Sequence, residues 1–431
     1  MAEPLAGTTV RRRFDAIAPL RHPPYARLWT GAFVSNIGTW METLALGVYV
    51  TKLTHEAAWT GTIAAAAFVP IAFFGPIGGA LADRLPRKWL LMVTTIVQTG
   101  LATLLAVLFA VGHPSAPILT LIVFGNGICA GLGFPAFQAI LPDLVPVGDL
   151  PGAIALSSAQ YNLGRVVGPV LAGVVIAIGG YSWAEAVNAA SFFAVIAVLL
   201  TLALPKPGAH ASDQKLFRSI AEGFRFVRNE RGLRVNAAAM CLNTFLAAPF
   251  IALVPAMAEN VLHNGKVGTP VLITAQGIGA VAMALLLGAL VQRYGPRRLL
   301  VSLMGALPVA LAAYAYAPDV ALSALALLVV GALYLGALST FSTIAQLRAP
   351  AHIRGRVVSV NTMILGSLYP LGAVIQGKIA DGIGLRATTL GSGAVMAAAL
   401  VGTRLVRPGI TSSLDTPLDE LDHGDWTGPA G

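Results

Sequence analysis

The sequence predicts an all-α integral membrane fold, with twelve spanning helices in two pseudo-symmetric bundles of six. Three observations carry that prediction. The 431-residue chain is 56% hydrophobic and only 11% charged, where a soluble domain carries about a quarter charged residues. Apolar runs long enough to cross a hydrocarbon core of about 30 Å recur along its whole length, and in lipid such runs must close their backbone hydrogen bonds as helices. A charged hinge also occurs twice. Gly79-Ala80-Leu81-Ala82-Asp83-Arg84-Leu85-Pro86-Arg87-Lys88 returns, 209 residues further on, as Gly288-Ala289-Leu290-Val291-Gln292-Arg293-Tyr294-Gly295-Pro296-Arg297-Arg298.

Residues 1–27 form a basic segment with Arg11, Arg12, Arg13, Arg21 and Arg27. It lacks an apolar stretch of signal-peptide type, so the first span is expected to direct insertion uncleaved. The first bundle occupies residues 28–204, with spans at 28–50, 57–82, 89–112, 116–137, 153–178 and 182–204. Residues 205–235 make the longest connection. Within it Phe217, Ile220, Phe224 and Val227 recur at three- and four-residue steps among basic residues. That pattern predicts an amphipathic helix on the inner membrane surface, with a partner-docking helix as the alternative. The second bundle occupies residues 236–406, with spans at 236–260, 268–291, 298–317, 320–344, 357–377 and 385–406. The tail, 407–431, gathers Asp415, Asp419, Glu420, Asp422 and Asp425 and is expected to be disordered.

Most of the 28 Lys and Arg fall on one side of this arrangement, in the N-terminal segment, the two hinges, the central connection and the matching loops of the second half. The opposite loops hold only Lys52, Lys266, Lys378 and Arg386. This asymmetry places both termini and the central connection in the cytoplasm, with the chain threaded many times through the inner (plasma) membrane. The net charge of +9 is then a topology signal, and no nucleic-acid partner is expected. Cys129 and Cys241 fall inside spans and read as small apolar side chains.

Two alike halves enclose a cleft that rocking can open to either face of the membrane. Outward loops of roughly three to eight residues leave no room for a receptor ectodomain. Glu42 near the middle of span 1 and Arg165 near the middle of span 5 stand out, because a charge at mid-bilayer costs at least about 2.5–3.5 kcal/mol and must face a cavity or a partner. Glu42 is expected to take up and release a coupled proton, with Arg165 modulating it. A static ion pair, or a Glu42 that binds a cationic substrate, are the alternatives. Asn36, Thr39, Trp40 and Thr43 share the polar side of span 1. With Asn126 and Cys129 in span 4, Asn243, Thr244 and Phe245 in span 7, and Tyr334, Ser339, Thr340 and Ser342 in span 10, they outline a large, mostly apolar pocket suited to an amphiphile. No P-loop, metal-ligand cluster, His-Glu-x-x-His or nucleophile elbow is present, so neither cofactor, metal nor enzymatic activity is expected.

The paired hinge resembles the loop signature of the major facilitator superfamily. Gly79, Asp83, Arg84, Arg87 and Lys88 match it, with Pro86 in place of a glycine. The second copy keeps Gly288, Arg293, Gly295, Arg297 and Arg298 but carries Gln292 where the acid would stand. In this reading Gly79 permits close helix approach, Asp83 accepts from a facing helix N-terminus, and Arg84 pairs with Asp143, gating the cleft; charges that merely orient the chain are the alternative. Gly164, Gly168, Pro169 and Gly173 resemble the span-5 signature of proton-coupled exporters, with a kink expected at Pro169. A weaker echo lies at Gly366, Pro370, Gly372 and Gly377. The stretches beginning at Ser35, Asn162, Glu222 and Arg354 resemble the enterobactin-exporter and macrolide-efflux branch. That resemblance implies a monomeric, proton-coupled antiporter that exports siderophores, antibiotics or drugs. An importer or lysolipid flippase on the same scaffold, and a transport-inactive sensor, are the alternatives. Gly127 occupies the site where the superfamily's exporters place an Arg in span 4.

Overall fold

The computed structural model describes residues 17–202, 216–350 and 353–415. In the first half, α1 (Pro23–Thr54), α2 (Ala57–Arg84), α3 (Arg87–Val111) and α4 (Ala116–Leu144) lead to α5 (Leu150–Thr201), which is continuous except at Gly180. There φ is 74°, a left-handed conformation open to glycine, and the chain folds back as two spans joined by almost no loop. Pro169 sits inside α5, whose one non-helical residue is Gly180.

The linker helix α6 (Leu216–Asn229) follows. In the second half, α7 (Arg231–Leu242) and α8 (Phe250–Ala256) are joined by a π-helical turn, Asn243–Ala247, and a second, Met257–Val261, ends the span. Then come α9 (Gly265–Tyr294), α10 (Pro296–Tyr316), α11 (Val320–Arg348), α12 (Arg354–Ile383) and α13 (Leu385–Val406). Ten helices are long and apolar enough to cross a membrane. With α5 counted as two and the 32-residue α1 added, the described residues hold twelve spans. Residues such as Ile178, Leu285 and Leu121 point outward with most of their surface exposed, as side chains facing lipid do.

The two halves meet along α2 with α12 and along α5 with α9. Contact is tight at the end carrying the α1–α2 turn. A Cβ on Gly61 would sit 2.4 Å from the Ala373 carbonyl, and one on Gly377 would sit 2.7 Å from the Ala57 carbonyl. It persists to mid-depth, where Gly366 meets Ala72 and Gly277 meets Val166. Towards the opposite end, where α1 begins and α13 ends (the terminal end), it stops: a Cβ on Gly75, Gly79, Gly288 or Gly355 would meet nothing within 4 Å. The halves therefore splay at the terminal end and close at the turn end.

The linker helix does more than rest at a surface. Val227 joins Leu233, Ala345, Val357 and Val360 in a buried cluster of the second half, and Glu222 pairs with Arg356. Phe217 and Ile220 have side chains outside the described residues. The start of the tail is also folded: Ile410–Leu414 form a 3-10 helix with Leu414 buried, and Asp415 bonds Arg297 at 2.8 Å.

Candidate functional site: a central cleft, its latch and a buried carboxylate pair

Span 1 divides its polar side chains between two directions. Asn36 donates to Gln160 on α5 at 2.7 Å. Trp40 packs edge-on to Tyr161, and the Arg165 guanidinium lies over its ring at 5.3 Å. Gly164 and Gly168 make this approach possible, since a Cβ on Gly168 would fall 2.6 Å from Trp40. Glu42, only two residues beyond Trp40, points almost the opposite way, because two residues turn a helix by about 200°. It enters the interior of the first half, 5% exposed, and accepts from Asn126 on α4 at 3.0 Å and from Asn188 on the second arm of α5. Gln98 of α3 in turn donates to Asn126 at 3.0 Å.

Glu42 and Arg165 thus form no ion pair; they occupy different compartments. The group that shares Glu42's compartment is Glu185, which was not among the expected residues. It is 0% exposed, both of its carboxylate oxygens lack a hydrogen-bond partner, and it lies within electrostatic reach of Glu42. Among the described residues no cation pairs with either acid. Glu185 stands three residues before Asn188, so one helix face presents both. The signal was an acid one turn inside an apolar run, which at a span's edge reads as a loop residue.

Arg165 lies where the two halves meet. Tyr161 on its own helix, Tyr334 on α11 and Tyr369 on α12 are within its electrostatic reach. Tyr369 packs edge-on against Phe68 of α2, and Tyr334 against Phe250 of α8. Of the other expected lining residues, Thr39 and Thr43 bond carbonyls of their own helix, as does Thr340, which is fully buried. Asn126 serves Glu42. Asn243 and Thr244 are 0% exposed with side-chain polar atoms unpartnered, and the Phe245 carbonyl accepts from Gln376 at 3.0 Å. The structure places Trp40 against Arg165 and Tyr334 within its electrostatic reach, and leaves the others in the walls of the halves.

At the turn end, Asp381 of α12 accepts from the backbone N–H groups of Ala57 and Ala58 at 2.6 and 3.1 Å. These are first-turn donors of α2, left without partners by the helix itself, so an acid of one half caps a helix of the other. Lys52 and Glu259 approach to 3.8 Å nearby, and Asn260 donates to the His55 carbonyl at 3.2 Å. A vestibule of about 520 Å³ opens above, lined by His55, Glu56, Asn260, Lys378 and Asp381. Gly377 and Asp381 repeat the Gly-x-x-x-Asp spacing of Gly79 and Asp83, a signal available in the sequence.

At the terminal end, Asp143 lies in the last turn of α4 and pairs with Arg87 at 2.9 Å, not with Arg84. Arg87 begins α3, beside the end of α4, and also donates to the Ala139 carbonyl at 2.8 Å. Asp83 and Arg84 are exposed and unpaired among the described residues. Lys88 donates to the Leu202 carbonyl at 2.7 Å. In the second hinge Arg293 stacks on Tyr294, Arg297 holds Asp415, and Gly295 takes φ 74° between α9 and α10. Gly173 packs on Pro270 of α9, across the seam between halves.

Twelve spans in two splayed bundles around a central cleft define a secondary transporter of the major facilitator type. Residues 14–423 match the family described as transmembrane secretion effector, and the chain belongs to that family. It is similar to the multidrug efflux pump Tap of Mycolicibacterium fortuitum, at 28% identity over 85% of this chain and 91% of the relative. It is equally similar to the enterobactin exporter of Citrobacter koseri, at 28% over 88% and 90%. Among solved structures, the nucleoside transporter NupG superposes with a TM-score of 0.71 at 16% identity, covering 88% of this chain and 99% of that one, a likeness of fold.

Proposed function

We propose that this chain is a proton-coupled exporter of small amphiphilic molecules that works by alternating access, with its terminal end in the cytoplasm. The observation that carries the reading is the Glu42–Glu185 pair: two buried carboxyl groups in reach of one another with no cation beside them. Two neighbouring charges of one sign cannot both be carried in such a place, so the pair holds a proton. Asn126 and Asn188 can donate to whichever carboxyl is ionised. A pair that gains and loses one proton, set in the helices that wall the cleft, is a coupling device that needs no ATP.

Alternation is supported by the repeated Gly-x-x-x-Asp. Gly377 and Asp381 close the turn end here, while Gly79 and Asp83 present the same spacing to open space. In the opposite state Asp83 would cap the N-terminus of α12 as Asp381 now caps α2, and the cleft would face outward. Export is favoured by the efflux functions in the names of the relatives.

The test is transport in proteoliposomes of fixed orientation. N-phenyl-1-naphthylamine, as a neutral model amphiphile, should move against its gradient when an inward proton gradient is imposed and exchange without one. Accumulation in the reverse sense would identify an importer, and absence of both fluxes would identify a sensor.

A further inference from the structure

The proposed reading makes the central cleft the substrate site, and its chemistry narrows the substrate. Arg165 brings a permanent positive charge to mid-depth of the protein, yet it forms no salt bridge among the described residues. Its Nε is buried without a hydrogen-bond partner, and so is the indole Nε1 of Trp40, whose ring lies under the guanidinium. The side chains around it are neutral: Trp40 of α1 lies under its guanidinium, Tyr161 of α5, Tyr334 of α11 and Tyr369 of α12 are within its electrostatic reach, and α9 meets its backbone through Gly277. The nearby acids do not reach it, because Glu42 is turned into the first half and held there by Asn126 and Asn188.

A guanidinium carries five donors in a planar fork suited to a carboxylate, and its flat face stacks on rings. A buried donor left without an acceptor costs about 1–3 kcal/mol, and here two such donors stand side by side. The same unpaired charge repels a cation. Tyr161 is 43% exposed while Tyr334 and Tyr369 are 3% and 6% exposed, so the aromatic wall is deep and its mouth lies towards the splayed end. Tyr334 and Tyr369 belong to one half, Trp40, Tyr161 and Arg165 to the other, so a ligand held among them bridges both.

We infer that the cleft binds aromatic organic anions, with the acidic group on the Arg165 guanidinium and the Trp40 indole N–H and the ring among Tyr161, Tyr334 and Tyr369. This rests on the cleft being the transport site, and the test separates the two ideas. Calorimetric titration of the detergent-purified full chain compares three matched probes: 2-naphthoate, neutral 2-naphthamide and cationic 2-naphthylmethylammonium. Naphthoate is expected to bind at least tenfold more tightly than the amide, and the ammonium most weakly. Arg165→Gln should bring naphthoate down to the level of the amide, with circular dichroism reporting its fold; Arg165→Lys should retain part of the preference.

Equal binding of the three probes, no binding by any, or full naphthoate affinity in Arg165→Gln would overturn the inference. The charge series on the unaltered protein decides the question even if the variants fail to fold. Transport of N-phenyl-1-naphthylamine without naphthoate binding would overturn this inference and leave the transport reading standing. Naphthoate binding without transport of any probe would do the reverse.

Discussion

Glu230 shows how one side chain can tie several parts of the chain together. Its carboxylate caps α7 through the N–H groups of Gly232 and Leu233 and pairs with Arg348 at the end of α11; both side chains are more than nine-tenths buried. Burial pushes its carboxyl up, but the Arg348 hydrogen bond and the two backbone N–H groups outweigh that and hold it below the usual carboxylate range. A carboxyl lowered in the folded state contributes stability that is complete above its ordinary value and fades as pH falls through the lowered one. Removing one member of a buried pair costs about 3–5 kcal/mol. Melting of the purified protein should therefore show Glu230→Gln clearly less stable than wild type at neutral pH, with the difference shrinking in acid. A constant difference across pH would contradict the assignment.

At the same scale, the sequence made Glu42 and Arg165 legible as intramembrane charges but not their separation. Their partners depend on which way each helix is turned about its axis, and Trp40 and Glu42 diverge although both count as one polar side. Arg87 rather than Arg84 took Asp143 for a related reason: the ends of α3 and α4 bring position 87 next to that acid. Glu185 and Asp381 escaped notice because acids at the edge of an apolar run look like loop residues until a neighbouring helix covers them.

Among elements, small residues decide which face can close. Gly377 lies against the first turn of α2, and a Cβ there would fall 2.7 Å from a backbone carbonyl, so Gly377→Val should force the turn end apart. Asp381→Asn should act in the same direction by weakening the cap, a charge at a helix N-terminus being worth about 0.3–1 kcal/mol and up to about 2 where partly buried. With Cys129 and Cys241 replaced by Ser, a cysteine at Phe68 would report this as faster labelling by an impermeant maleimide from the turn side. Unchanged labelling in both variants would remove the latch from the account.

Gly79→Val makes the complementary test. A side chain there meets nothing within 4 Å in this state, so melting should be unaltered, yet transport should stop because the terminal end could no longer close. Retained transport would show that this face never packs. Element positions were largely readable from apolar runs, since lipid forces each run to be a helix. The π-helical turn at Asn243–Ala247 was not, because it depends on packing rather than composition, whereas the gap between the apolar runs 153–178 and 182–204 already bracketed the return at Gly180. The polar residues of α1, readable as a lining face, are also what keep it out of the set of most apolar helices.

For the whole molecule, repetition of the hinge foretold two alike halves, and the structure adds which end is joined. The first half carries the carboxylate pair, the seam carries the guanidinium and its rings, and the turn end carries the latch. In the proposed function, proton occupancy and substrate occupancy would act on separate compartments that share α1 and α5. Coupling between two such sites is usually worth about 1–3 kcal/mol, that is, roughly a 5- to 150-fold change in affinity. The most direct test compares wild type, Glu42→Gln and Glu185→Gln in proteoliposomes loaded with N-phenyl-1-naphthylamine or 2-naphthoate, with and without an imposed proton gradient. Both variants should still exchange label across the membrane at equilibrium but no longer concentrate it when the gradient is applied. Concentration at the wild-type level by Glu42→Gln would contradict the claim that this carboxylate pair couples protons to transport.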